Sequence, residues 1–465
     1  MEAATVRAAA SAEPPCSAYA AGLLRGAVRT EELPNGWVRP RRFFYEQERA
    51  LSSCMAWYPG IYRQMSAATA GVRLDFETDA TELALEVRFD AEPRATANVI
   101  AAAERPSEEG AGATFDAISV EVDGEIVAKL PLEAVAPAPG MPGAPTVSFS
   151  IDVADGAAEG DLLQLPGFGQ MHRVRLWLPS LRGCELGRVL GNGTFVRPAE
   201  GAYPPAAEGA EKPKKRKKKA KKGAQGSLPV PETQAVWPRS VLVLGDSISQ
   251  GFLAGSPTNA WPTIVARRLG AELVNQGLGA QVFQSSSLTG LSELEAPDLV
   301  FIAFGENYRY GRCRASQVGR EISEYLRLVG EFFQKASVVV LLPADDGREV
   351  APGSCYGQVR SFIEEGVSRA QASRGRRGAP AMTTLGMPEL TGSLAADAMG
   401  HPTAEGSRAI ADAVLERVAK LVSCSCLRET GRYGRCGACV ASKAPEPELE
   451  PGLEPAEQDW PLTLF

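Results

Sequence analysis

The sequence predicts an α/β domain on a doubly wound parallel sheet (residues 239–422), preceded by an antiparallel β-sandwich (residues 36–197). Three observations predict it. Between residues 37 and 190 apolar residues alternate with polar ones at period two, the mark of short half-buried strands. Beyond residue 240, short continuous apolar runs alternate with segments of helical period, as a parallel sheet with crossover helices requires. Between the two lies a stretch rich in Pro, Gly and Lys, residues 198–238, with no period of either kind.

Residues 1–35 are rich in Ala and Pro and are expected to be loosely ordered. In the sandwich, Val72, Leu74 and Phe76 share one face of a strand, as do Leu83, Leu85, Val87 and Phe89. Ile118, Val120 and Val122, then Val147, Phe149 and Ile151, repeat the pattern. Asp123-Gly124 is a hairpin turn signal. Residues 101–114 and 136–144, made of Gly, Ala and Pro, read as surface loops. The linker contains Lys212-Pro-Lys-Lys-Arg-Lys-Lys-Lys-Ala-Lys-Lys222, nine basic residues in eleven, too charged to fold compactly. It reads either as a nuclear-import or polyanion-binding signal or as a self-repelling spacer.

In the α/β domain the expected order is a strand at 241–244, a helix near 257–269 and strands at 272–275 and 298–303. Val318, Ile322, Tyr325, Leu326, Val329 and Phe333 then share one helical face. A strand at 338–342, a helix at 356–373, a short strand at 382–385 and a last helix carrying Ile410, Val414, Val418 and Leu421 complete it. Right-handed crossovers would bring the carboxyl ends of the first three strands together with the loop before the last helix. In the tail, 423–465, Cys424, Cys426, Cys436 and Cys439 are either a tetrahedral zinc set or surface thiols. The second pair has ligand spacing and the first does not, so no metal is assigned. The Pro- and Glu-rich end is disordered by composition.

With 465 residues, 44% hydrophobic content and a net charge of −7, the chain is long enough for two cores. No apolar run approaches membrane-spanning length, and the N-terminus lacks the apolar core of a secretory signal. This predicts an intracellular, cytoplasmic protein without a membrane partner, or a nuclear one through residues 212–222. Nine cysteines at irregular spacing do not suggest a disulfide framework.

Val241-Leu-Val-Leu-Gly-Asp-Ser-Ile-Ser-Gln-Gly251 is a buried strand running into a tight turn that displays Ser247. A serine hydroxyl needs a base to take its proton and a third group to hold that base in the right tautomer. The chain has two histidines. His172, in an alternating apolar segment, reads as a strand-surface residue without chemistry, which leaves His401 as base. Asp397, four residues earlier, is close enough to accept from its imidazole. Thr403 is a candidate cap of the helix that follows.

Three further stretches, Val274-Asn-Gln-Gly-Leu-Gly-Ala280, Phe304-Gly-Glu-Asn307 and Asp397-Ala-Met-Gly-His-Pro402, follow Gly245-Asp-Ser247 in order. In these blocks residues 241–421 resemble the SGNH, or GDSL, family of serine esterases. The resemblance implies a flavodoxin-like sheet, catalytic Ser247, His401 and Asp397, and an oxyanion hole made of the Ser247 N–H, a backbone N–H at Ala280 and the Asn307 side-chain amide. It implies no cofactor. Two positions depart from the family pattern: Ala280 stands where a glycine is usual, and Tyr308 where an aspartate follows the asparagine. The backbone donor survives only if alanine tolerates the required φ; Gly279 is the alternative donor. The sandwich resembles the jelly-roll module that precedes some SGNH carbohydrate acetyl-esterases, or is a lid or packing partner.

The expected function is hydrolysis of short acyl, acetyl-like esters through an acyl-enzyme, with an acetylated carbohydrate or other small ester as substrate. Phe252, Trp261, Phe304 and Tyr308 would crowd the acyl side, unless they are core. The competing readings are a catalytically weakened binding module and a nucleic-acid-associated protein acting through the lysine tract.

Overall fold

The computed structural model describes residues 16–53, 59–94, 96–98, 116–137, 145–151, 171–199, 238–374 and 380–422. The lysine tract, the four tail cysteines and residues 101–114 lie outside the described residues.

Two antiparallel sheets face each other in the first half of the chain. One orders strands Arg29–Glu32, Val38–Arg41, Cys184–Gly191, Glu82–Phe89, Pro145–Ser150 and Ala136–Pro137, with Cys16–Tyr19 paired to Cys184–Gly191. The other orders Val196–Pro198, Arg73–Thr78, His172–Trp177, Ile118–Val122 and Glu125–Leu130, with Leu24–Arg25 paired to Arg73–Thr78. The alternating residues close one core between them: Leu74, Phe76, Val120 and Leu176 from one sheet meet Leu85, Val87, Val147 and Leu186 from the other. Asp123 (φ 49°) and Gly124 (φ 96°) make the expected two-residue hairpin, both in the left-handed region that such a turn needs.

Two expectations are corrected here. Residues 16–35 are not loose: Cys16–Tyr19 pairs from Cys16↔Gly191 to Tyr19↔Arg188, and Arg29–Glu32 pairs with Val38–Arg41. His172 is not a surface residue; it is buried, with Nδ1 2.8 Å from Asp123 Oδ2 at the hairpin.

The second half is a five-stranded parallel sheet of β1 (Ser240–Gly245), β2 (Glu272–Gly277), β3 (Leu299–Ala303), β4 (Ser337–Leu342) and β5 (Met382–Gly386). The spatial order is 2-1-3-4-5, the flavodoxin-like order the resemblance implies. Its helices are α1 (Ser247–Gln250), α2 (Trp261–Leu269), α3 (Ala315–Phe332), α4 (Tyr356–Arg374) and α5 (Ala404–Val422). Helix α3 buries Val318, Ile322, Tyr325, Leu326 and Val329 with Val359 and Ile363 of α4 on one face of the sheet. On the other, Ile410, Val414 and Val418 of α5 pack with Val265 of α2 and Trp177 of the sandwich.

The sandwich and the parallel sheet share a charged seam. Arg73 reaches Glu272 at 2.5 Å, and Arg267 reaches Glu121 at 2.9 Å and the Gly124 carbonyl at 3.0 Å. Arg42, fully buried, donates from Nε to Ala68 O at 2.5 Å and from Nη1 to the carbonyls of Asn275 and Gly277 at 2.9 and 2.7 Å. Among the described residues, one disulfide, Cys313–Cys355, joins positions 42 apart, a pairing the cysteine spacing did not suggest. Among the described residues, no helix is long and apolar enough to cross a membrane.

Candidate active site

Strand β1 is buried from Val241 to Gly245 and delivers its carboxyl end to the sheet edge. A Cβ on Gly245 would come 2.2 Å from Ser249 Oγ and 2.5 Å from its Cβ, so glycine leaves the room for Ser249 to pack against the strand end. Asp246 then caps α1 by accepting from the Ile248 N–H at 3.0 Å. Ser247 becomes the first residue of that short helix, with its amide among the helix's free N–H groups.

The loop ahead of α5 meets it. His401 Nε2 lies 3.0 Å from Ser247 Oγ, and Nδ1 lies 2.7 Å from Asp397 Oδ2. The other Asp397 oxygen accepts the His401 backbone N–H at 3.0 Å. Burial raises the Asp397 carboxyl, but hydrogen bonds from the His401 ring and backbone help to outweigh it and hold the group below the usual carboxylate range. An ionised Asp397 accepts only, so Nδ1 carries the proton and Nε2 presents its lone pair to the serine. Phe252 stacks on the imidazole, centroids 5.6 Å apart. The Met399 carbonyl accepts from Tyr310 Oη at 2.7 Å and from the Arg348 guanidinium. Thr403 accepts from the Gly406 N–H at 3.2 Å, capping α5 as expected.

The block after β2 is held by side-chain amides. Asn275 Nδ2 donates to the Ser249 carbonyl at 2.8 Å, and its Oδ1 accepts the Gly277 N–H at 2.8 Å. Residues 278–281 form a turn closed by Gln281 N–H to the Leu278 carbonyl at 3.1 Å. Ala280 occupies its third position with φ 61°, a conformation usually left to glycine. The backbone therefore adopts a shape that favours glycine, at a cost of roughly 1–2 kcal/mol for a residue with a Cβ. Gly279 is not a free alternative donor: its N–H goes to Gln250 Oε1 at 2.8 Å. Asn307 is half-buried and gives one amide hydrogen to the Gln281 carbonyl at 2.9 Å, which leaves a second to donate.

The crowding aromatics divide. Phe252 is at the site, but Trp261 packs edge-on against Phe301, and Phe304 against Phe283 and Tyr325. Tyr308 is buried in the same core as Phe304. Those three support the sheet rather than line a pocket, the competing reading of the sequence.

Residues 243–409 match the model of the GDSL-like lipase/acylhydrolase family. This part of the chain is an SGNH-type esterase domain. No curated protein sequence matches the chain. Among solved structures, salicylyl-acyltransferase SsfX3 from a tetracycline biosynthetic pathway is similar at 19% identity and TM-score 0.57, covering 87% of this chain and 97% of that one. A family two carbohydrate esterase from Cellvibrio japonicus is similar at 14% identity and TM-score 0.50, with the same coverage. At these identities the two show the fold, over the sandwich as well as the SGNH domain.

Sequence reasoning did not find Tyr62, Tyr310 or Arg348, each of which contacts the site's loops, and it gave Gln250, inside the Val241–Gly251 stretch, no role. No local pattern reveals these contacts, because each is made to a backbone atom remote in sequence.

Proposed function

We propose that the SGNH domain hydrolyses short acyl esters through an acyl-enzyme on Ser247. The observation that carries this is the unbroken chain Ser247 Oγ to His401 Nε2 at 3.0 Å and His401 Nδ1 to Asp397 at 2.7 Å. Ser247 Oγ attacks the acyl carbonyl while His401 takes its proton, and Asp397 stabilises the imidazolium that forms. The N–H groups of Ser247 and Ala280 and the spare amide hydrogen of Asn307 receive the developing oxyanion. The alcohol leaves with the proton from His401. A water, deprotonated by His401, then releases the acid and restores the serine.

The binding-module reading rested on Ala280 and Tyr308. Ala280 keeps the left-handed turn, and the Tyr308 side chain is buried in the core, so neither change removes a group from the reaction. For the substrate, acetyl comes first, with a sugar or other small polar alcohol as partner. The likeness in fold to a carbohydrate esterase and the Phe252 ring against His401 support this.

Ser247→Ala is expected to lower kcat on p-nitrophenyl acetate by about 10⁴-fold or more. Wild-type turnover in that variant would end the proposal. A higher kcat/KM for decanoyl than for acetyl esters would reject the short-acyl preference while leaving the mechanism standing.

A further inference from the structure

The reading above makes the Ala280 N–H a donor to the oxyanion, and what holds that amide in place comes from outside the SGNH domain. Ala280 packs against a cluster in which Phe43, Leu51, Tyr62, Met65 and Leu181 of the N-terminal half meet Phe252 and Leu278. Tyr62 lies in the helix Pro59–Met65, is fully buried, and donates its hydroxyl to the Ala280 carbonyl at 2.8 Å. On the other side, Gln250 takes the Gly279 N–H and donates its own Nε2 to the Ser180 carbonyl at 3.0 Å. Ser180 is held in turn: its N–H and that of Leu181 donate to buried Asp116 at 2.8 and 2.9 Å.

The peptide that carries the Ala280 N–H is thus flanked by two anchored ones. The N–H before it is tied through Gln250 to Ser180, and the carbonyl after it is tied to Tyr62. Neither the Ala280 nor the Ser247 N–H has a partner among the described residues. Alanine at φ 61° is strained, so without anchors the turn could relax by rotating that peptide and turning its N–H away from the serine. We propose that Tyr62 is a positioning residue of the oxyanion hole, and that the β-sandwich half, through Tyr62 and Ser180, completes the catalytic site rather than serving as an appended module. Preorganisation of this kind acts on the transition state more than on the bound ester, because charge reaches the oxygen only during the reaction.

The test is Tyr62→Phe in the full chain, which keeps the ring in its buried cluster and removes the hydroxyl. With p-nitrophenyl acetate, and with active sites counted by fluorophosphonate titration so that unfolded protein drops out, kcat should fall about tenfold and KM stay within about twofold. Affinity for a trifluoromethyl ketone, which forms the oxyanion on Ser247, should fall by the same factor as kcat/KM. The pH at half-maximal kcat/KM should not move, since the triad is untouched. Unchanged kcat and ketone affinity overturn the proposal, and so does a loss that comes with a shifted pH profile. Asn307→Ala run in parallel separates the two levels. If it too leaves kcat and ketone affinity intact, the oxyanion assignment itself falls. If Asn307→Ala is impaired and Tyr62→Phe is not, only the role of Tyr62 falls.

Discussion

Asp246 sits one residue before Ser247, and burial, followed by the charge of Glu306, pushes its carboxyl up to about 8. Unfolded, the same group titrates near 4. Between those values the folded chain binds the extra proton, so this group's contribution to stability falls as pH rises from about 4 to 8. Asparagine keeps an oxygen to accept the Ile248 N–H and has no proton to lose. In Asp246→Asn the fall in Tm between pH 5 and pH 8 should be smaller than in wild type by a few degrees, measured by thermal unfolding in matched salt. An identical slope in the two proteins would mean that Asp246 is ionised in the fold. Asp397 works in the opposite sense: held below its unfolded value, it stabilises the fold above that value and loses the contribution as pH falls into the acid range. Ala280 carries a measurable strain of its own. Ala280→Gly relieves the left-handed alanine and should stabilise the fold by about 0.5–1 kcal/mol in a denaturant titration.

Among the elements, the loop between β4 and α4 governs the histidine loop. Arg348 in it joins Glu306 at 2.9 Å and Asp346 at 2.5 Å, and reaches the Met399 carbonyl two residues before His401. Glu306 also accepts the Ala344 N–H at 2.6 Å, and Arg309 donates to the Arg348 carbonyl at 2.9 Å. The Cys313–Cys355 disulfide closes the base of the same region. The turn carrying Asn307 and the turn carrying His401 therefore share one half-buried cation. Arg348→Ala leaves Glu306 with fewer partners in the interior and frees the Met399 carbonyl, at a cost of about 1–3 kcal/mol. Its kcat/KM on p-nitrophenyl acetate should fall at least about tenfold, with Arg348→Lys recovering part of the loss. Full activity in Arg348→Ala would show that the histidine loop holds itself.

At the scale of the whole molecule, the sandwich and the parallel sheet share buried contacts at more than one place. Arg42 is fully buried: desolvation lowers its guanidinium to about 9, so it stays charged at neutral pH and relies on the carbonyls around it. Arg42→Met would strip partners from the Asn275, Gly277 and Ala68 carbonyls and is expected to destabilise by about 2–4 kcal/mol. Such a seam couples the two halves, so calorimetry of the wild type should give one unfolding transition. Two separated peaks in the wild type would mean that the halves melt independently and that the seam is weak.

Along the chain alone, the elements could be read, and so could the proposed trio of Ser247, His401 and Asp397. Period-two and period-3.6 patterns are local, so the hairpin at Asp123-Gly124, the faces of α3 and α5 and the five strands of the SGNH domain could be read from neighbours along the chain. Ser247, Asp397 and His401 were legible for the same reason: each lies in a short stretch whose turn and cap chemistry is set within a few residues. The remainder depended on how segments distant along the chain pack together. That Cys16–Tyr19 is a strand depends on its pairing with Cys184–Gly191, and whether Phe304 lines a pocket or the core depends on Phe283 and Tyr325. The Cys313–Cys355 pairing was set by the meeting of two loops, not by cysteine spacing. Tyr62 lies 218 positions from the carbonyl it holds, and Arg42 lies 233 from one of its own. Hydrogen bonds of that reach leave no periodicity behind, because they are made to backbone atoms that every residue carries and are selected only by how the two halves pack.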